Sequence, residues 1–183
     1  MTNQRFAIIG LLFLCGTWPA IAAAKNPTTV KFEDTVRVLK SHQDPGPKDF
    51  ATVGSDVDNV LVDLVGNRKV DADIRARAAR ALGFYPGPGT RAVLMNAMST
   101  HDVEVEVRCA AMLGMARAFK EEVVEDLKAY LRGGDPDLRC GAASALAEIG
   151  GDRVRIFMID AIDHENILEV RIAMEKALKR MLP

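Results

Sequence analysis

The sequence predicts an all-α fold, a right-handed α-solenoid of about four helix-turn-helix repeats. Three observations lead to this prediction. A short motif centred on an arginine recurs at intervals of about 32 residues, a period typical of helical repeats. The apolar residues around each arginine have the spacing of an amphipathic helix. No segment of any length shows the strict alternation that predicts a strand.

The motif keeps its chemistry in each copy. Its arginines are Arg75, Arg108, Arg139 and Arg171. An acidic residue stands two positions before each arginine, an aliphatic residue one before, and a small residue six after. Leu or Met stands seven after, at Leu82, Met115, Leu146 and Leu178. At about 100° per residue, the positions one before and three, six and seven after the arginine share one helix face. We expect this face to pack closely on neighbouring helices.

Each arginine-bearing helix follows another amphipathic segment, and the two form one repeat. These first helices are predicted at residues 56–67, 89–99, 120–134 and 152–163. The repeats then occupy residues 50–84, 85–117, 118–150 and 151–183. In the third repeat, Asp135 suits the N-cap of the second helix and Pro136 suits its first position.

The repeats resemble HEAT repeats, in particular the short, alanine-rich kind also found in phycobilisome lyases. The resemblance rests on the order acid, aliphatic residue, arginine, small residues and Ala-Leu-Gly, as in residues 73–83. It covers residues 50–183 and implies an α-solenoid. Because the motif is a packing signature, it says little about function. The lyases imply an alternative function, that of a lyase- or chaperone-like protein holding a tetrapyrrole or other ligand.

The first 24 residues have a basic start, an apolar middle and a small-residue end. This is the pattern of a secretory signal peptide, and a retained membrane anchor is the alternative. We therefore expect an exported protein, periplasmic or secreted, with no integral membrane span after cleavage.

Residues 25–49 lie outside the repeat register. Phe32, Val36 and Leu39 have helical spacing, which predicts a short capping helix over the edge of the first repeat. The alternative is a flexible arm that engages a partner.

Cys109 and Cys140 each follow a repeat arginine by one position. This position lies about 175° from the centre of the buried face, so we expect both thiols on the inner, concave ridge. Repeats stack about 8–10 Å apart, which is farther than a disulfide reaches, so both should be accessible and free. Neither cysteine has a nearby histidine in sequence to act as its base. We predict that the protein is not an enzyme.

The histidines and methionines raise the question of a metal site. His101-Asp102 and His164-Glu165 lie in equivalent turns, and the second pair resembles those by which some HEAT-repeat hydroxylases hold iron. One such pair is present where several are needed, so we expect solvated turn residues, no metal and no cofactor. The methionines fall in apolar columns and are predicted to fill the core. They are Met95, Met98, Met112, Met115, Met158, Met174 and Met181.

Cations beside aromatic residues mark the candidate partner-binding surface. Arg77 and Arg80 are expected on the concave side of the first repeat, near Phe84 and Tyr85, with Leu113 on the same side of the second repeat. A solvated basic face is the alternative. The 24 basic and 25 acidic residues nearly balance, and later concave positions are small or apolar, which argues against nucleic acid as a partner.

The sequence as a whole predicts a non-catalytic protein–protein interaction scaffold of the bacterial cell envelope. We expect it to bind another protein through the concave face or the N-terminal arm.

Overall fold

The computed structural model describes residues 27–181, and the predicted signal peptide at residues 1–24 lies outside them. Within 27–181 the chain forms helices and no strand. The α-helices are α1 Pro27–Ser41, α2 Val57–Gly66, α3 Ala72–Leu82, α4 Pro88–Ser99, α5 Val105–Phe119, α6 Val124–Lys128, α7 Pro136–Ile149, α8 Asp152–Asp163 and α9 Leu168–Lys179. From α2 onward they follow one another as helix pairs, which confirms the predicted all-α solenoid.

The helices after α1 form two rows. The odd-numbered helices from α3 to α9 pack on one another in succession, and each even-numbered helix packs on the odd-numbered helix that follows it. Small residues set the spacing of the odd row, since a Cβ atom built on Gly114 of α5 would lie 2.3 Å from the carbonyl oxygen of Ala79 in α3. Because the odd row packs more closely than the even row, the stack curves with the odd row on its concave side.

The predicted buried face of the odd helices is confirmed. Side chains one position before and three, six and seven after the repeat arginines are buried, except for a half-buried Leu178. Leu82, Met115 and Leu146 are fully enclosed, each 0% exposed. The methionines fill the core as predicted, although Met95 and Met181 are only half-buried. The stripe read from the sequence is therefore the stripe that packs.

Three of the four repeat arginines are buried and Arg171 is half-buried, which the sequence pattern did not indicate. Arg75, Arg108 and Arg139 are 2%, 6% and 8% exposed. The Nε of Arg75 donates to the carbonyl oxygen of Val65 at 3.3 Å, and the Nε of Arg108 to that of Met98 at 3.1 Å. Each acceptor lies in the last turn of the even helix of the same repeat, where carbonyl groups lack helical partners and the helix dipole favours a cation.

In the last two repeats the motif arginine also donates to carbonyl oxygens, and these lie just past the end of the first helical segment of the repeat. Arg139 Nη1 donates to the carbonyl oxygen of Gly133 at 2.8 Å, and Arg171 Nη2 to that of Glu165 at 2.7 Å. In each repeat, the hydrogen bonds of the motif arginine thus connect the two helices.

The first helical segment of the third repeat differs from the prediction of one continuous helix at residues 120–134. It begins with a 3-10 turn at Lys120–Val123, continues as α6 and ends with a second 3-10 turn at Ala129–Arg132. Lys120 follows α5 with no connecting loop and adopts a positive φ of 48°, so the chain reverses within a single residue. The second helix of this repeat begins as predicted, with the Asp135 carboxylate accepting from two backbone N–H groups and Pro136 in the first turn.

At the N-terminal end, α1 lies against α2 and α3. Leu39 is fully enclosed at 0% exposure. Arg77 Nη1 of α3 donates to the carbonyl oxygens of Leu39 and His42, at 3.1 and 3.0 Å. An arginine of the first repeat therefore binds the C-terminal end of α1. None of the helices within residues 27–181 has the length and hydropathy needed to cross a membrane.

Candidate functional site

The concave side of the odd row holds an open groove, which we call the concave groove. It is formed by α3, α5 and α7 and has a volume of about 560 Å³. Its floor is apolar or small, from Val105, Cys109, Ala110, Leu113, Cys140 and Gly141. Its polar lining comes from Arg80, Glu106, Asp137 and Ser144. Helices of three consecutive repeats therefore build one continuous surface.

Charge is arranged along the length of the concave groove. Glu106 and Asp137 stand in the first turns of α5 and α7, and Arg80 stands in the last turn of α3. Since the odd helices run in the same direction, the carboxylates lie at one end of the groove and Arg80 toward the other. Burial lowers the pKa of the Arg80 guanidinium. The groove suits a polypeptide segment with apolar side chains at its centre.

Both cysteines line the concave groove as free thiols, but they are half-buried. The Sγ of Cys109 donates to the carbonyl oxygen of Asp137 at 3.5 Å. A Cβ atom on Gly141 of α7 would lie 2.6 Å from the same sulfur. Burial raises the pKa of the Cys109 thiol to about 11, with the carboxylate of Asp137 adding to the effect. Burial also raises the pKa of Cys140.

This arrangement corrects the expected environment of Cys109. The sequence placed it on an open ridge with an accessible thiol, whereas the next odd helix covers it in part. A neutral thiol held between two helices is a packing group rather than a poised nucleophile.

The candidate partner-binding residues do not form one patch. Arg80 and Leu113 come together in the concave groove. Arg77 turns to α1, where the carbonyl oxygens at its C-terminal end and the carboxylate of Asp73 hold it. The sequence placed Arg77 in the partner-binding surface, whereas in the structure its guanidinium is engaged within the chain.

The two aromatic residues lie away from the concave groove. Phe84 is 41% exposed, and the guanidinium carbon of Arg117 stands 5.4 Å from its ring centroid. It lines a separate depression with Arg117 and Glu148. Tyr85 is half-buried, and burial raises the pKa of its phenol.

Sequence reasoning missed an ion cluster centred on Arg117. Its two terminal nitrogens donate to the Asp44 carboxylate at 3.0 Å each, and its Nε donates to Glu148 at 3.1 Å. Hydrogen bonds from Arg117 lower the pKa of Asp44, against the opposing effect of burial. The cluster joins the segment after α1 to the second and third repeats. Arg117 stands nine positions after its repeat arginine, where the other repeats carry Phe84, Glu148 and Arg180, so the position keeps no single chemistry that would mark it.

The acidic residues of the two histidine turns have structural partners. Asp102 pairs with Arg68, whose Nη2 donates to it at 2.8 Å. Glu165 was expected to be a solvated turn residue, which is wrong, since it is 7% exposed. Arg139 donates to both carboxylate oxygens of Glu165, at 2.6 and 3.1 Å, and these hydrogen bonds lower the pKa of Glu165. Within residues 27–181 no group of three or more His, Cys, Asp and Glu side chains is arranged to hold a metal ion.

The arrangement of paired helices, buried repeat arginines and a concave odd row agrees with the comparison with known families. Residues 101–179 match the family model for HEAT repeats. The matched region begins in the turn before α5 and ends with α9, and the match supports a HEAT-repeat protein. The comparison with curated proteins found no match to the chain. HEAT repeats generally mediate protein–protein interaction, so the HEAT-repeat surface suggests a protein partner.

Proposed function

We propose that this protein is an exported, non-catalytic HEAT-repeat scaffold of the cell envelope that binds another protein through the concave groove. The observation that carries the proposal is the groove itself, an apolar floor shared by three consecutive odd helices and open to solvent. A concave surface built by stacked repeats is the usual binding surface of a solenoid.

The chemistry of the groove supports binding without catalysis. Its thiols are half-buried, and burial keeps Cys109 protonated at neutral pH, with a pKa of about 11. Leu113 is a half-buried apolar side chain in the same lining. Removing such apolar surface from water on binding favours association.

Site-specific photocrosslinking in the producing cell tests the binding surface. A photoreactive residue placed at Leu113 or at Ser144 should give one adduct of discrete mass. The matched control is Asn96, an exposed residue on the even helix α4, where the same residue should give no such adduct. An adduct that forms equally from all three positions, or from none, would remove the concave groove from the proposal.

The export part of the proposal rests on residues 1–24, which have the pattern of a cleaved signal peptide. Mass spectrometry of the intact protein from a producing cell should find Lys25 as the first residue, in the periplasm or the medium. A membrane-bound protein that still carries Met1 would overturn the proposed location.

A further inference from the structure

The exposed apolar surface of this protein is concentrated at one end. Six large apolar side chains are exposed within residues 27–181, and five of them lie between residues 156 and 172. These five are Ile156, Ile159, Ile167, Leu168 and Ile172. Large apolar side chains that stay exposed together on a helix face can mark an interaction site.

On α9 the exposed apolar residues share one helix face. Leu168 is 59% exposed and Ile172 is 41% exposed, and residues four apart are neighbours on a helix surface. Glu175 and Lys179 continue the same face toward the C-terminal end of α9. The polar residues of this face therefore lie in the second half of the helix.

This face of α9 corresponds to the one by which inner odd helices contact the next repeat. Ile172 follows its repeat arginine by one position, as Cys109 does in α5, and Cys109 lies against Gly141 of α7. A branched side chain takes the place of the thiol in α9. The face is thus built for apolar contact with another helix, at a wider spacing than that between inner repeats.

The charges on α9 indicate which partner this exposed face fits. Glu169 stands in the first turn, and Lys176 and Lys179 stand in the last turn. Two copies of α9 that pair antiparallel bring the glutamate of each chain toward the lysines of the other and oppose their helix dipoles. A two-fold axis makes every such contact twice. Parallel pairing would place like charges together.

We propose that the protein forms a homodimer in which the α9 helices of two copies pair antiparallel through Leu168 and Ile172. Leu168 and Ile172 are not among the residues that line the concave groove, so this proposal does not rest on the proposed partner binding. Each can fail without the other.

Sedimentation velocity tests the dimer on protein expressed from the full sequence and purified as the cell processes it. We expect twice the monomer mass at micromolar concentration. Ile172→Glu should raise the dimer dissociation constant by roughly thirtyfold or more, the loss expected at a central contact of an interface. Phe84→Glu is the matched control, since Phe84 has the same 41% exposure and belongs to the first repeat, and it should leave the dimer intact.

Charge reversal tests the antiparallel geometry and does not depend on the apolar substitution. Glu169→Lys alone and Lys176→Glu with Lys179→Glu should each associate more weakly than the native protein. An equal mixture of the two variants should associate again, because each lysine then faces a glutamate. Circular dichroism should show the same helix content for every variant.

Three results would overturn the proposal. The purified protein could stay monomeric at about 100 μM, well above the micromolar range, as expected if another protein or another segment covers the face. The dimer could persist in Ile172→Glu, which would place the interface elsewhere. Finally, the charge variants alone could associate as well as the native protein, which would exclude the antiparallel contact.

Discussion

Single ion pairs join neighbouring repeats at their connecting turns. Arg139 of the third repeat reaches Glu165, which precedes the last odd helix, and Arg75 of the first repeat reaches Glu104, which precedes α5. The two pairs differ in burial. The Glu165 side chain is 5% exposed, whereas that of Glu104 is 51% exposed. Because a buried charge without its partner is costly, the two pairs should contribute very differently to stability.

Arg139→Met should lower the free energy of unfolding by about 3 kcal/mol, because it leaves the buried Glu165 carboxylate without its cation. Arg75→Met is the matched control and should cost about 1 kcal/mol, because it loses a hydrogen bond to a carbonyl oxygen but leaves Glu104 half exposed to water. Urea unfolding curves of both variants measure the difference. Equal losses would mean that the Arg139–Glu165 pair is exposed to water.

Cys109 should react slowly with iodoacetamide in the folded protein. Its pKa is raised to about 11, so at neutral pH its thiolate fraction should be roughly a hundredfold below that of a free cysteine. The sign of the pH dependence follows, since the rate should keep rising through pH 9 and 10. The Cys140→Ser variant reports on Cys109 alone. Labelling as fast in the folded protein as in urea would place the thiol in open solvent.

The odd helices approach one another because small residues stand where their backbones meet. Gly114 is the closest case, since a Cβ atom there would meet both the Ala79 carbonyl oxygen at 2.3 Å and Leu94 Cδ1 at 3.1 Å. The obstacle is helix backbone, which cannot turn aside as a flexible side chain can. The spacing of α3 and α5 therefore depends on one missing methyl group.

Gly114→Ala should destabilise the protein by about 3 kcal/mol, near the upper end of the usual cost of overpacking. Gly89→Ala is the control, because a Cβ atom at Gly89 in α4 meets no described atom within 4 Å. That substitution should be neutral or should stabilise by up to about 1 kcal/mol, through the higher helix propensity of alanine. Thermal and urea unfolding compare the two. A neutral Gly114→Ala would mean that α3 and α5 lie farther apart.

At the scale of the whole molecule, contacts distant in sequence hold the N-terminal end of the fold to its middle. Asp44 and Arg117 are 73 positions apart and share two hydrogen bonds of 3.0 Å. Arg117 also donates to Glu148 of the third repeat at 3.1 Å. One guanidinium thus connects the segment after α1 with two repeats. It holds that segment at the edge of the odd row.

Asp44→Asn should speed amide hydrogen exchange in α1 by roughly two- to fivefold, the effect of losing a partly exposed ion pair. Exchange in α9 should not change and serves as the control. The pKa of Asp44 is lowered by its hydrogen bonds to Arg117. Its stabilising effect is therefore present above about pH 4, the pKa of an unfolded aspartate, and is lost as the pH falls through the lower folded pKa. An α1 that exchanges equally in both proteins at neutral pH would contradict this role.

The sequence by itself determined the repeat register, the buried stripe through Leu82, Met115 and Leu146, and the helix start at Asp135 and Pro136. These features follow from spacing within one helix, where a period of about 3.6 residues relates position to face. The concave placement of Arg80 and Leu113 follows from the same geometry. Local rules were sufficient for each of them.

Only the tertiary structure decided what lies across from each face. The ion pair of Arg139 with Glu165, the packing of Cys109 against α7 and the hydrogen bonds from Arg117 to Asp44 all connect different helices or repeats. Periodicity states which way a side chain points along its own helix, but it carries no information on the distance or chemistry of the facing element. The partners of these side chains depend on how closely the helices stack, and Gly114 and Gly141 set that spacing from positions outside the ion pairs.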